Sequence, residues 1–195
     1  MPARKSTIKR QTKETKIEIV LALDGSGDAS IETGIPFFDH MLESFAVHGV
    51  FDLTVRAKGD LNTGDHHTVE DVGIVLGKAF SDALGNKKGI ARFGDAMVPM
   101  DETLATVALD ISGRSHVVFS GTFEESKIGG MSTKNVRHFL DSFAKNAVLS
   151  MNIKVEGEDD HHKIEAVFKA LGVALGKALK RDERRKRVPS TKKIL

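Results

Sequence analysis

Asp65-His66-His67-Thr68-Val69-Glu70 and Asp160-His161-His162-Lys163-Ile164-Glu165 say nearly the same thing twice. In each, two adjacent imidazoles stand three residues ahead of a carboxylate. Each also opens a segment with helical spacing of apolar residues: Val69, Val72, Leu76, Ala79, Phe80 and Ala83 in the first, Ile164, Val167, Leu171, Ala174, Leu175 and Ala178 in the second. Three polar side chains at the head of an apolar helix are costly for packing alone. Metal ligation is the chemistry that uses them.

Outward from these stretches the two halves of the chain keep the same order. Upstream of the first, Ile17 to Leu23 alternates as a strand, and Asp24 to Asp28 reads as a hairpin turn into a short strand, Ala29 to Glu32. Gly34 and Pro36 then start a helix carrying Phe38, His40, Met41, Leu42 and Phe45. Phe51 to Ala57 alternates again, and the polar loop Gly59 to Gly64 leads to His66. Upstream of the second stretch, strands at Thr103 to Asp110 and Ser115 to Ser120, joined at Gly113, precede a helix from Thr133 to Leu149. A strand at Ile153 and Val155 follows, then a helix from His161 to about Arg184.

His40-Met41-Leu42-Glu43-Ser44-Phe45 lies over His138-Phe139-Leu140-Asp141-Ser142-Phe143, and Glu14-Thr15 is echoed by Glu102-Thr103. The chain therefore reads as an α+β protein made by internal duplication of two β-β-α-β-α halves, with sheets packed against a helical layer. The first half is residues 1–90, the second residues 91–195 with a basic C-terminal tail, and the seam falls near Gly85 to Arg92. The first dozen residues are basic and polar and are expected to fray.

With 195 residues and 40% hydrophobic content the chain can bury a substantial core. It has no cysteine, so any metal is held by nitrogen and oxygen. A formal charge of +2 gives no broad basic face, and the absence of Tyr and Trp leaves little for base stacking, so no nucleic-acid partner is expected. Neither a membrane span nor a signal peptide is visible, and a soluble cytoplasmic protein is the expectation.

Duplication also sorts the histidines. His40, His66 and His67 have counterparts in His138, His161 and His162, whereas His48 and His116 have none and read as surface residues. An isolated pair would be explained by capping or surface hydrogen bonding; a repeated pair with a repeated Glu and a repeated upstream His would not. His66 and Glu70 share one helix face, while His67 is turned by about 100° from His66. Neighbouring imidazoles would then serve different metals, and each site would need ligands from another repeat or another subunit.

Arg92 and Arg114 follow glycine-marked turns, and the tail carries Ser190, Thr191, Lys192 and Lys193. Such donors suit a phosphate monoester, although each alone is commonly a solvated surface charge.

The runs Phe37-Phe38-Asp39-His40-Met41-Leu42, Gly64 to Asp71, Pro99-Met100-Asp101-Glu102 and Asp160 to Lys169 resemble the imidazoleglycerol-phosphate dehydratase family of histidine biosynthesis, over essentially the whole chain from Arg10 to Lys192. The resemblance implies loss of water from imidazole glycerol phosphate to give imidazole acetol phosphate. It also implies two manganese ions per active site and a large symmetric homo-oligomer with active sites between subunits. By matching positions, His40, His66, His67, Glu70, His138, His161, His162 and Glu165 would be metal ligands, and Arg92, Arg114, Lys169, Ser190 and Lys192 would contact substrate.

Many members carry Gln where this chain has Ser44, and no role is carried to that position. The proton to be removed has no neighbouring carbonyl, so simple enolisation is unavailable. Metals on both ring nitrogens would let the imidazole expel its side-chain hydroxyl, after which a carboxylate can take the next carbon's proton. Glu14, in the Arg10-Gln11-Thr12-Lys13-Glu14-Thr15 run, is the candidate for substrate binding and for that acid/base role. The competing reading of the same ligands is a non-enzymatic metal-storage or sensor assembly.

Overall fold

Strand order in the two sheets repeats the duplication seen in the sequence. The computed structural model describes residues 3–192. The first half runs β1 (Lys5–Gln11), β2 (Thr15–Ala22), β3 (Ala29–Glu32), α1 (Pro36–Gly49), β4 (Asp52–Gly59) and α2 (His66–Leu84). The second runs β5 (Phe93–Met100), β6 (Thr103–Asp110), β7 (His116–Ser120), a small hairpin β8 (Lys127–Ile128) and β9 (Met131–Ser132), then α3 (Lys134–Ala147), β10 (Ser150–Glu156) and α4 (Asp160–Leu179). One sheet is ordered β1-β2-β4-β3 and the other β5-β6-β10-β7.

Each four-stranded sheet thus has one strand more than the sequence pattern shows, in both cases at its N-terminal edge, and the second half adds the small β8–β9 hairpin. Instead of fraying, the N-terminal residues form β1, paired antiparallel with β2. Hydrophobic periodicity misses this strand because polar groups fill its inward positions. Ser6 donates to Asp82 of α2 at 2.6 Å, Arg10 pairs with Asp71 of α2, and just before the strand Arg4 grips Asp24 and the Leu179 carbonyl. β5 is missed for a different reason, since its apolar residues point outward, Phe93 and Met97 being 61% and 67% exposed. Inward it presents Gly94 and Ala96, because α4 lies so close that a Cβ on Gly94 would overlap the Ala174 carbonyl.

The expected hairpin at Asp24 to Asp28 is not one. β3 crosses over to pair parallel with β4, and β7 likewise pairs parallel with β10. α4 stops at Leu179, short of Arg184, where the chain turns extended at Lys180 and Arg181 bridges back to Ile90.

The halves join helix to helix. α1 and α2 cover the first sheet, α3 and α4 serve the second, and α1 packs on α4 while α2 packs on α3. Gly77 of α2 lies against α3, where an added Cβ would stand 2.5 Å from the Phe143 carbonyl oxygen. Its counterpart Gly172 of α4 meets the Phe45 carbonyl of α1 in the same way. Between them the helices bury a phenylalanine cluster drawn from both halves, with Phe38 on Phe139, Phe45 on Phe143 and Phe139 on Phe168. α1 and α3 both end on a valine in the left-handed region, Val50 at φ 58° and Val148 at φ 55°, a conformation uncommon for a β-branched residue and copied in both halves.

Candidate metal centre

Because each helix pair is made of one helix from each half, each brings ligand-bearing residues of both halves together. At the first pair, His40 sits in the opening turns of α1, which Pro36 starts, and His161 and Glu165 lie one turn apart on α4. The Glu165 Oε2 atom is 3.2 Å from His40 Nε2 and 3.1 Å from His161 Nε2. Candidate ligand atoms of the three residues all lie within 4.8 Å of one another. Burial by itself would raise the Glu165 carboxyl, but the Lys169 ammonium, 2.7 Å from Oε1, and the hydrogen bond to His40 hold it below the ordinary glutamate range. Phe37 packs edge-on against the His161 ring.

At the second pair, His66 Nε2 lies 3.2 Å from Glu70 Oε2 on α2, and the His138 ring of α3 meets the His66 ring with centroids 4.8 Å apart. These three are the repeat counterparts of His161, Glu165 and His40. Asp65, immediately before α2, accepts from Ser132 N at 2.7 Å, Ser132 Oγ at 2.7 Å and Asn135 Nδ2 at 2.8 Å. At the position matching Lys169 stands Ile74, and among the described residues no ammonium or guanidinium is paired with Glu70.

His67 and His162 turn away from these clusters, as the helical angle requires. His67 Nδ1 sits 3.1 Å from Asp60, with Glu14 3.8 Å from Nε2. His162 Nδ1 sits 3.1 Å from Glu102, with Asp101 3.8 Å from Nε2. The hydrogen-bonded carboxylate raises each imidazole above its ordinary value, Asp60 acting on His67 and Glu102 on His162. Glu102 itself is held at about 2, chiefly by the Asp159 N–H and then by His162. Glu14 and Glu102 therefore stand beside equivalent histidines of the two halves.

The residues expected to meet substrate are divided between two places. Lys169 is with Glu165 at the first cluster. Arg92 forks onto Asp110, Nε to Oδ1 at 2.7 Å and Nη2 to Oδ2 at 3.0 Å, and its Nη1 donates to the Pro189 carbonyl at 2.8 Å beside Ser190. The Lys192 N–H donates to Ser190 Oγ, and the Arg114 carbonyl accepts from Ser150, which pairs with Asp110. Lys193 lies outside the described residues. Arg92 N bonds to the carbonyl of Ala178, seventeen positions along α4 from His161, a span of about 25 Å at the helical rise of about 1.5 Å per residue. Arg92, beside Pro189 and Ser190, and the α1–α4 histidine cluster thus stand at opposite ends of α4.

Asp60, Asp101 and Asn135 were not singled out by sequence reasoning. Asp65 and Asp160 were visible as the repeated residue ahead of each histidine pair; Asn135 carried no signal because its partner is far away in sequence. In the first cluster, convergence of two imidazole nitrogens on one carboxylate oxygen fits a borderline divalent cation with nitrogen and oxygen ligands; in the second, one imidazole nitrogen meets Glu70 and the His138 ring packs against His66. Side-chain exposures of 46% for His40 and 44% for His66 leave each trio open on one side.

A family model of imidazoleglycerol-phosphate dehydratase matches residues 33–175. The imidazoleglycerol-phosphate dehydratase of Methanocella arvoryzae is 58% identical over 98% of this chain and 100% of its own length, and that of Haloquadratum walsbyi is 54% identical over 97% and 91%. The crystal structure of the Staphylococcus aureus dehydratase superposes with a TM-score of 0.83 at 37% identity, covering 91% of this chain and 99% of that one. That of Pyrococcus furiosus also gives 0.83, at 36% identity over 96% and 100%.

Proposed function

The chain belongs to the imidazoleglycerol-phosphate dehydratase family, and from that premise we propose how its own residues divide the work. The reaction is the loss of water from imidazole glycerol phosphate to give imidazole acetol phosphate, a step of histidine biosynthesis. His40, His161 and Glu165 would hold one divalent cation, and His66, Glu70 and His138 a second. His67 and His162 face outward to complete the shells of neighbouring copies. Manganese is the proposed ion. When bound, the cations supply Lewis-acid polarisation and a template for the imidazole ring.

Glu14 takes the proton from the side-chain carbon next to the one that loses hydroxide. The enol left behind becomes the ketone of the product. Glu14 suits the role because it is presented in the tight β1–β2 turn, where Thr12 Oγ1 accepts its N–H, and its carboxylate stands beside His67. Arg92, Arg114, Ser190 and Lys192 bind the phosphate, and Lys169 lies where a substrate oxygen would approach Glu165.

The length of α4 supports a homo-oligomer with sites between subunits. A substrate of under about 10 Å cannot reach both Arg92 and His161 of one chain. Among the described residues no helix is long and apolar enough to cross a membrane, and a cytoplasmic location is the proposed one.

The observation that carries this reading is the pair of equivalent His-His-Glu trios in a chain of this family. Its test is turnover of imidazole glycerol phosphate before and after chelation, with manganese added back. Activity lost on chelation and restored by Mn²⁺ is expected; full activity in a demonstrably metal-free preparation overturns the metal assignment.

A further inference from the structure

The two trios are copies in ligand identity and differ in what stands behind them. Beside His161 packs the Phe37 ring, its centroid 5.0 Å away, a side chain with no carbonyl or carboxylate to offer. Behind His66 is a polar chain. Asn135 is fully buried, its Nδ2 donates to Asp65 Oδ2 at 2.8 Å, and its Oδ1 faces His66 Nδ1 at 3.3 Å.

The direction of this chain is forced. Asp65 receives the Ser132 N–H, the Ser132 hydroxyl and the Asn135 amide, and an ionised carboxylate only accepts. The Asn135 NH₂ must therefore point to Asp65. Its carbonyl oxygen must point to His66, which accordingly carries a proton on Nδ1. A neutral imidazole protonated on Nδ1 has its lone pair on Nε2, and Nε2 is the atom that lies beside Glu70.

We propose that Asn135, oriented by Asp65, is a positioning residue that fixes the Nδ1-protonated tautomer and the ring orientation of His66. The α2–α3 cation site would thereby have a carboxamide holding one of its imidazoles, where the α1–α4 site has the Phe37 ring beside His161 and the Lys169 ammonium on its carboxylate. This inference rests on the two-cation reading above and assigns an internal difference between the two sites. Outer-shell partners of metal-bound histidines typically change metal affinity by about 10- to 100-fold, and a loss of that size is expected at one site alone.

The experiment is Mn²⁺ binding by the intact protein, followed by electron paramagnetic resonance of free Mn²⁺. His138→Ala and His40→Ala serve as references that each disable one trio. Asn135→Leu is expected to weaken one of the two Mn²⁺ ions about 10- to 100-fold, with the residual binding matching that of His138→Ala. Asn135→Asp keeps an acceptor facing His66 Nδ1 and is expected to retain more of the lost ion than Asn135→Leu. Ser132→Ala, which loosens the loop while leaving Asn135 on His66, is expected to keep both.

Should Asn135→Leu fail to fold, Asn135→Ser, whose hydroxyl stops short of His66, carries the same comparison. Two Mn²⁺ ions bound with unchanged affinity in the Asn135→Leu or Asn135→Ser protein overturn the positioning role and leave the two-cation reading standing. A wild-type protein that binds no Mn²⁺ overturns both. Equal weakening by Ser132→Ala reduces Asn135 to a loop anchor.

Discussion

Gly77→Ala tests whether the crossing of the two halves sets the site as well as the fold. At Gly77 an added Cβ would stand 2.5 Å from the Phe143 carbonyl oxygen, 2.8 Å from the Asn146 Cβ and 2.9 Å from the Ala147 nitrogen. Two of these are backbone atoms of α3 that no rotamer change can move, and an ordinary Cβ contact needs about 3.4 Å, so the helices must separate by nearly 1 Å. Overpacking of this kind costs about 1–3 kcal/mol, and contact with backbone atoms that cannot turn away puts it in the upper part of that range, about 2–3 kcal/mol; replacing a mid-helix glycine by alanine returns about 1 kcal/mol. A net loss of about 1–2 kcal/mol is expected, a fall in Tm of about 2–8 °C for a chain of this size.

The assay is thermal unfolding of chelated protein at fixed concentration, since assembly itself makes Tm depend on concentration. Lys78→Ala, one position along on the exposed face of α2, is the control and is expected to change little. Displacing α3 also moves His138 away from His66 and Glu70, so Mn²⁺ binding should weaken at that trio and hold at the α1–α4 trio. Gly172→Ala should show the reverse selectivity, because it presses on α1, which carries His40. A Gly77→Ala protein as stable as the parent, or more so, would refute the argument, since helix propensity would then outweigh the crossing.

Two further outcomes follow from the geometry. His67 and His162 are raised above 6.5 by their carboxylate partners, so in metal-free protein their contribution to stability is complete below about pH 6.5 and is lost as pH rises through the folded values. Cations must displace the same protons, and Mn²⁺ affinity is expected to climb through that window; Asp60→Asn should shift the climb to lower pH, and a titration curve unchanged by it would count against His67 as a ligand. Arg92→Lys replaces a three-contact fork with a point charge that cannot hold both Asp110 and the Pro189 carbonyl. KM for the phosphorylated substrate should rise about tenfold or more with Mn²⁺ stoichiometry unchanged, and an unaltered KM would remove Arg92 from the phosphate site.

Much of this was legible in the chain because the duplication acts as an internal comparison. His40 stands out only because His138 occupies the same place in the other half, and the four helices follow from apolar stripes that nearly coincide with their observed bounds, except that α4 ends at Leu179, short of the expected Arg184. What escaped did so for physical reasons. β1 is buried through Arg10 on Asp71 and Ser6 on Asp82, so its inward face reads as polar. β5 is covered by a helix close enough to demand Gly94, so its inward face reads as nearly empty. β3 and β7 pair parallel through a crossover, which a search for hairpins cannot find.

By itself the sequence determined the candidate metal-binding residue types, the two-fold repetition of the half and, through the helical angle between His66 and His67, the divergence of adjacent imidazoles. Those are local properties, set by residue identity and by about 3.6 residues per turn. Only the tertiary structure decided that each trio takes one helix from each half, that Asn135 reaches His66, and that Arg92 stands a helix length from His161. These depend on which surfaces pack together, and Gly77 and Gly172 show how: two close helix crossings bring residues some seventy to one hundred and twenty-five positions apart into contact.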